Sequence, residues 1–461
     1  MASISAELHD IQGNILRAYG FPCARYEIAR ITSAPAARRL LGGLLERGWV
    51  TSAATWDPDA KPGSTLNIFF SWHGLAALGL PAASLDSFPE EFRKGMPARK
   101  DVLGDVGRND PAQWEFGTDP EQAHVFFAVY GRTPANRDAM LSTLRAEAAK
   151  VGSAVAVTHA LDAEGQGNHG EHFGFADGIG QPAIEGSGAP EYPGDGTPLG
   201  DGTWAPLKAG EFVLGWPGET GYPVSMPAPE ALGRNGSYLV YRKLAQDVVA
   251  FRTFLREQAV RVYGSDSAED VERLAAKLVG RWRSGCPLMR SPDRDDRGVA
   301  ADWSRNNDFR YASDPEGRTC PVGSHIRRLN PRDALDARGD ELVRTHRIVR
   351  RGLPYGTWLD GDVDDGQERG VAFMAINSSI AYQFEHVQRA WANSGEFAGL
   401  DRQDVDPLAG EPRQGSRFRV YGPEGAPKRL TNLPAFVTLK GGGYFFIPGL
   451  TALRLIASNG V

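Results

Sequence analysis

Twice in the first third of the chain, a short apolar run, a helical stretch and a second apolar run follow one another. This serial pattern limits the fold more than any other feature. The first set is Ile11 to Leu16, a helix near Ala36 to Arg47, and Leu66 to Phe70 after the Gly63-Ser64 turn. The second is a buried strand from His124 to Tyr130, an amphipathic helix from Ala135 to Lys150 and a strand from Ala154 to His159. Helices are marked by apolar residues at helical spacing, and buried strands by short continuous apolar runs between turn residues. Two β-α-β units in series predict a ferredoxin-like domain over residues 1–164.

At 461 residues the chain is too long for one core, because single cores stop growing at about 250 to 300 residues. Residues 165–227 are dense in Gly and Pro, with GQGNHG, GSGAPEYPGDG and GWPGETGYP, and read as a structured connecting region. Beyond it, Tyr238 to Tyr241 reads as a strand and Leu244 to about Val262 as a helix, and Ser267-x-x-Asp270 caps a further helix running to Trp282. Val371 to Ile376 is strand-like, Ser379 to Trp391 helical, and Phe436 to Leu439 and Tyr444 to Ile447 strand-like. The glycines Gly441 to Gly443 between the last two fit a hairpin turn or a close backbone approach. The fold class is therefore α+β, with two ferredoxin-like domains of antiparallel sheet flanked by helices. The second spans 228–461 and carries a long insertion at about 285–370; insertions of that length are usually functional.

Several function classes drop out. A net charge of -6 lacks the cationic surplus that phosphate neutralisation requires, so nucleic acid is not an expected partner. No apolar run approaches the roughly 20 residues that cross a bilayer. The start, MASISAELHDIQGNIL, reads as neither a secretory nor a twin-arginine signal, which places the expected location in the cytoplasm. Cys23, Cys286 and Cys320 stand far apart and read as buried thiols rather than a metal or disulfide framework. His169 and His172 flank Glu171 in a Gly-rich loop, without the i, i+4 helical spacing of a metal pair. Asp360, Asp362 and Asp364 resemble the start of a calcium loop, but Asp365 stands where the sharp turn requires Gly.

Three elements remain. His172-Phe-Gly-Phe-Ala-Asp177-Gly178 sets one acid among turn formers, and alone it reads equally as an Asp-Gly turn. His325, in Ser324-His-Ile-Arg327, reads alone as a structural histidine or a ligand. The run Arg344-Thr-His-Arg-Ile-Val-Arg-Arg351-Gly-Leu-Pro-Tyr-Gly356 reads alone as a solvated basic face or an anion site.

Taken together and in order, these segments closely resemble the dye-decolorizing peroxidase family. The match runs from Asp10-Ile-Gln-Gly-Asn-Ile-Leu16 through Phe173-Gly-Phe-Ala-Asp-Gly178, Gly280-Arg-Trp-Arg-Ser-Gly285, Asn306-Asn-Asp-Phe309 and Ser324-His-Ile-Arg327. It continues through Arg347-Ile-Val-Arg-Arg-Gly352 and Gln383-Phe-Glu385 to Gly441-Gly-Gly-Tyr-Phe445, covering nearly the whole chain. The resemblance implies two ferredoxin-like domains and one haem b per chain, held mainly by the C-terminal domain. It places the axial iron ligand on His325, the distal acid on Asp177, the distal arginine on Arg350 and the carboxylate that orients the axial histidine on Asp406. Arg347 and Arg351 are neighbouring placements for the distal arginine, and Arg327 is a candidate propionate contact. Ala176 and Gly180 depart from the Arg and Ser that many members carry there, so propionate contacts do not transfer from those positions.

The implied activity is reduction of hydrogen peroxide with oxidation of dyes, phenols or similar aromatic reductants; the alternative is a haem-binding or iron-handling protein with incidental peroxidase activity. A distal aspartate, with a reference pKa of about 3.9, stays a base where histidine is already protonated, so the expected optimum is acidic. Reductants too bulky for the distal pocket require an electron exit through aromatic side chains. Tyr355, with Trp358 and Trp391 behind it, is the candidate, against the alternative that each is ordinary core.

Overall fold

A computed structural model describes residues 3–335, 339–458 and 460. In the N-terminal half the order is β1 (Cys23–Ile31), α1 (Ala34–Glu46), β2 (Ser64–Phe70), β3 (Val125–Gly131), α2 (Pro134–Lys150) and β4 (Val155–Glu164). The C-terminal half runs β5 (Ser237–Gln246), α3 (Val248–Tyr263), α4 (Ala268–Val279), α5 (His325–Leu329), β6 (Val349–Arg350), β7 (Leu353–Tyr355) and β8 (Gly370–Asn377). A helical segment, a separate hairpin (Arg417–Tyr421 with Pro427–Thr431), β9 (Val437–Ile447) and a last helix, Leu450–Ser458, complete it. The helices begin where the sequence supplies caps: the side chains of Ser33, Thr133, Asp247 and Ser267 each accept the N–H three residues on.

Among the described residues the strands form one nine-stranded sheet, ordered β4-β1-β3-β2-β9-β5-β8-β6 with β7 also on β8. Each half has the order fourth-first-third-second of a ferredoxin-like β-α-β-β-α-β unit, and the halves join edge to edge where Phe446 of β9 pairs with Phe70 of β2. Tyr26 of β1 and Tyr241 of β5 stand four strand spacings apart, about 19 Å if the sheet were flat. Their rings are 6.0 Å apart, so the two halves fold face to face. Phe126, Tyr130, Leu239 and Phe445 fill the space between them, while Phe127, Val240 and Phe446 alternate onto the outer faces and pack beneath helices.

Three expectations change. Ile11 to Leu16 is not a strand: Gly13–Leu16 forms one helical turn, and the true first strand is Cys23–Ile31. Arg25, Glu27 and Arg30 break that strand's apolar run, although Ala24, Tyr26 and Ile28 keep the period of two that would have revealed it. Of the two readings of Gly441 to Gly443 the hairpin fails and the close approach holds: they lie inside β9, where a Cβ on Gly441 would sit 2.5 Å from the Phe116 ring and one on Gly442 2.5 Å from Tyr241 O. The helix expected from Ser379 to Trp391 is wound as π-helix over Ala381–Glu385 and Val387–Ala392, a form concentrated at functional sites.

Candidate functional site

Strand alternation places Arg242, Leu244 and Gln246 on one face of β5, and all three line a cavity of about 490 Å³. Val371 and Phe373 of β8, Leu439 of β9, and Phe384 and Val387 of the π-helical segment extend its apolar walls.

His325 opens α5 on the opposite wall, with Ile326 and Leu329 beside it. Its Nδ1 is 3.0 Å and 3.1 Å from the two carboxylate oxygens of Asp406. Asp406 is fully buried, and its Oδ1 also accepts the N–H groups of Leu408 and Ala409, each at 2.8 Å. Burial pushes the Asp406 carboxyl up, but the charge and hydrogen bond of His325, together with those two amides, outweigh it and hold the group below the usual aspartate range. A carboxylate only accepts, so the proton of this bond sits on His325 Nδ1, and in the neutral ring Nε2 is the nitrogen left as a lone-pair donor.

The loop carrying Asp177 lines the same cavity. Glu171 folds it back: its carboxylate accepts the N–H groups of Phe173 and Phe175, each at 3.0 Å, and Nε2 of Gln246 at 2.6 Å. Arg283 pins the other side, donating to Phe173 O while its own carbonyl accepts the Ala176 N–H. Gly174 turns there at φ +92°, a conformation that favours glycine. Asp177 accepts the Gly178 N–H at 2.6 Å, as an Asp-Gly turn does, and its Oδ1 also lies 3.8 Å from Nη1 of Arg350. Arg350 is fixed by Ile179 O at 2.8 Å, while its backbone N–H is held by Oε1 of Gln181 at 3.0 Å. Both side chains remain partly exposed to the cavity.

Sequence reasoning gave no role to Arg281, Asn307, Arg332 and Asp195, a buried cluster at the side of this site, and weighed Arg347 beside them only as a distal arginine. Asn307 Oδ1 accepts from Arg281 at 2.7 Å and from Arg332 at 2.6 Å, and its amide donates to Asp195 at 2.7 Å. Arg347 donates to Gly180 O at 3.1 Å. Burial, reinforced by the neighbouring Arg332, pushes Arg281 and Arg347 down to about 10. Arg281 and Arg347 donate to carbonyl and amide oxygens, so this wall suits an anion. The segments Gly280-Arg and Asn306-Asn were the available signal.

Arg327 is a correction. It does not line the cavity; it donates to Cys320 O at 2.6 Å and Asp314 O at 2.8 Å and lies over the Tyr311 ring. Two residues along a helix is about 200° of rotation, so Arg327 faces away from His325 while Leu329 shares its side.

Tyr355 also lies outside the cavity lining. Its ring is 5.3 Å from Nζ of Lys243, which alternates with Arg242 and Leu244 and so faces the space between the sheets, and its hydroxyl donates to Glu368 at 3.2 Å. Trp358 stacks on His169 at 4.3 Å, His172 Nε2 lies 2.7 Å from Tyr355 O, and Trp391 meets His346 and His386 edge-on. Asp362 pairs with Arg256 at 2.6 Å, and the described residues contain no cluster of three or more potential metal-ligating side chains. Cys23, Cys286 and Cys320 are free and buried. No described helix is long and apolar enough to cross a membrane.

No family model matches the chain. It is 32% identical over 445 residues to a dye-decolorizing peroxidase of Mycena epipterygia, covering 88% of this chain and 79% of that one. It is 32% identical over 479 residues to a multifunctional dye peroxidase of an Amycolatopsis strain, covering 97% and 95%. An ancestral D-type dye-decolorizing peroxidase structure superposes with a TM-score of 0.84 at 31% identity, over 98% of this chain and 99% of that one. The chain belongs to the dye-decolorizing peroxidase family and is a peroxidase.

Proposed function

We propose that the chain binds one haem b on His325, reduces hydrogen peroxide with Asp177 and Arg350, and oxidises dyes and phenols, with an acidic optimum. The observation that carries this is that two groups line one cavity: His325 backed by Asp406, and Asp177 with Arg350 3.8 Å away. The donor set fits the cofactor, with one imidazole nitrogen for iron, apolar walls for a porphyrin, and Arg281 and Arg347 for its carboxylates. Bound haem supplies the two-electron redox centre.

The chain's own residues do the rest. Asp406 accepts the Nδ1 proton of His325, which fixes the ring and raises its basicity as a ligand. Asp177 takes a proton from one peroxide oxygen and returns it to the other, a role in general acid-base catalysis worth about 10²- to 10⁴-fold. Arg350, already held by Ile179 O, stabilises charge developing on the departing oxygen, which costs about 2.7–4 kcal/mol when comparable donors are removed. Carboxylates as a class have lower reference values than imidazole, and this supports an acidic optimum for an enzyme that uses one as its shuttle. A related structure, 28% identical, holds 2,6-dimethoxyphenol, which supports phenols as reductants.

Stopped-flow mixing of haemin-loaded protein with one equivalent of peroxide tests the assignment. Asp177→Asn and Arg350→Leu are expected to slow the first spectral change by about 10²-fold or more. Parent-like rates in both variants would remove these residues from the mechanism.

A further inference from the structure

The end of the cavity away from Asp177 is built for a different task. Gln246 and Arg242 are four residues apart on β5, about 13 Å. Glu171 and the Asp177 loop gather at Gln246, whereas Asp105, Asn109 and Glu411 gather with Arg242 at the other end. Asp105 and Arg242, 4% and 5% exposed, are ion-paired. Even so, Asp105 Oδ2 and Arg242 Nε have no hydrogen-bond partner among the described residues, an expensive arrangement for buried groups. Glu411 is held on one side only: Asn109 Nδ2 donates to its Oε2 and its backbone N–H donates to Asn393 Oδ1 at 2.9 Å. No described residue donates to its Oε1. Burial, countered by Asn109 and raised again by the charge of Asp105, keeps its carboxyl above the usual glutamate range.

The charges acting on this pair of carboxylates come from Arg242, Arg108, Arg413 and Asp110, none from the arginine wall. A porphyrin's carboxylates call for cations and the rest of its rim is hydrocarbon, so neither accounts for two acids here. With Arg242 offsetting one carboxylate, the lobe favours a neutral hydrogen-bond donor over a cation. Phe384 and Leu439 give that donor an apolar wall.

We propose that this lobe binds small phenolic reductants, the phenol O–H donating to Glu411, which takes the proton as the phenol gives up its electron. This rests on the peroxidase reading. Each phenol O–H breaks into a proton on the carboxylate, an electron for the peroxide-oxidised centre and a phenoxyl radical that leaves. Two phenols balance one hydrogen peroxide reduced to two waters, and the protons pass on to those waters. Asp105 is a positioning residue that holds Arg242 and raises the proton affinity of Glu411.

Calorimetric titration of haem-loaded protein with 2,6-dimethoxyphenol, alongside KM for that phenol and for peroxide, tests the lobe. Glu411→Gln is expected to raise the phenol Kd and KM about tenfold, the loss of one hydrogen bond to a charged acceptor. Asp105→Asn, with its melting temperature measured separately, is expected to move the phenol values the same way. A phenol Kd within about twofold of the parent in Glu411→Gln overturns the lobe. A loss confined to the peroxide KM overturns it equally. A parent that binds the phenol but does not turn over peroxide overturns the peroxidase reading and the oxidation step with it.

Discussion

The Nδ1 of His325 lies 3.0 Å from Asp406 Oδ1, the oxygen that also accepts the amides of Leu408 and Ala409. That carboxylate has no N–H of its own to offer, so the direction of the bond is fixed and the histidine tautomer with it. In Asp406→Asn the amide oxygen can keep the Oδ1 contacts, but the negative charge is lost and an NH2 group replaces Oδ2 beside His325 Nδ1. Haem affinity or peroxide reactivity is expected to fall about 10- to 100-fold. The reduction potential should rise as the ligand becomes less basic. Spectroelectrochemistry reads this directly, and an unchanged potential with a parent-like peroxide rate would show that Asp406 is only structural.

Arg347 and Arg327 separate anion binding from internal bracing. Arg347 lines the cavity and donates to Gly180 O, so Arg347→Leu is expected to weaken haemin binding at least tenfold in a protein that still folds. Arg327 is enclosed with Asp314 and Cys320, so Arg327→Leu is expected to cost about 1–3 kcal/mol of stability by leaving the buried carbonyls of Cys320 and Asp314 without their donor. Haemin titration with parallel denaturant unfolding distinguishes the two. A haemin affinity lost in Arg327→Leu at parent stability would return that residue to the cofactor site.

That His325, Asp177 and Arg350 gather at one cavity, with Asp406 behind His325, was expected only from motifs standing in order along the chain, since each alone read as turn, core or surface. Arg327 was misplaced by treating adjacency in sequence as adjacency in space, which a helix breaks at a separation of two. Glu171 was weighed only as part of a metal pair, and its role as the clamp on Phe173 and Phe175 depends on Gln246, 75 residues away. The edge joining Phe70 to Phe446 left no local trace, since one register pair between distant strands has no period to read. The π-helical winding after Ile380 was equally silent, because its apolar residues fit an ordinary helix as well.

Tyr355 is the test of electron exit. Its hydroxyl donates to Glu368 at 3.2 Å beneath the Lys243 ammonium, which gives the phenol a proton acceptor when it loses an electron. Tyr355→Phe keeps the packing and removes that bond. Turnover of a bulky dye is expected to fall severalfold while the reaction with peroxide continues. Unchanged dye turnover would leave Tyr355 as core.

Glu211 sets a pH dependence remote from the chemistry. Burial, with the like charge of Glu219, pushes its carboxyl up to about 7, although the Glu219 N–H donates to it at 2.8 Å. The folded chain therefore keeps a proton that the unfolded chain releases near the ordinary value of 4.5. Between those values the native state binds more protons than the unfolded state, so stability falls as pH rises, by about 3 kcal/mol across the window. Glu211→Gln preserves an acceptor for the Glu219 N–H and removes the titration. The melting temperature of the variant relative to the parent should climb from about pH 5 to about pH 8, because other titrations cancel in the difference. Equal differences at both pH values would mean that Glu211 titrates alike in the folded and unfolded chain.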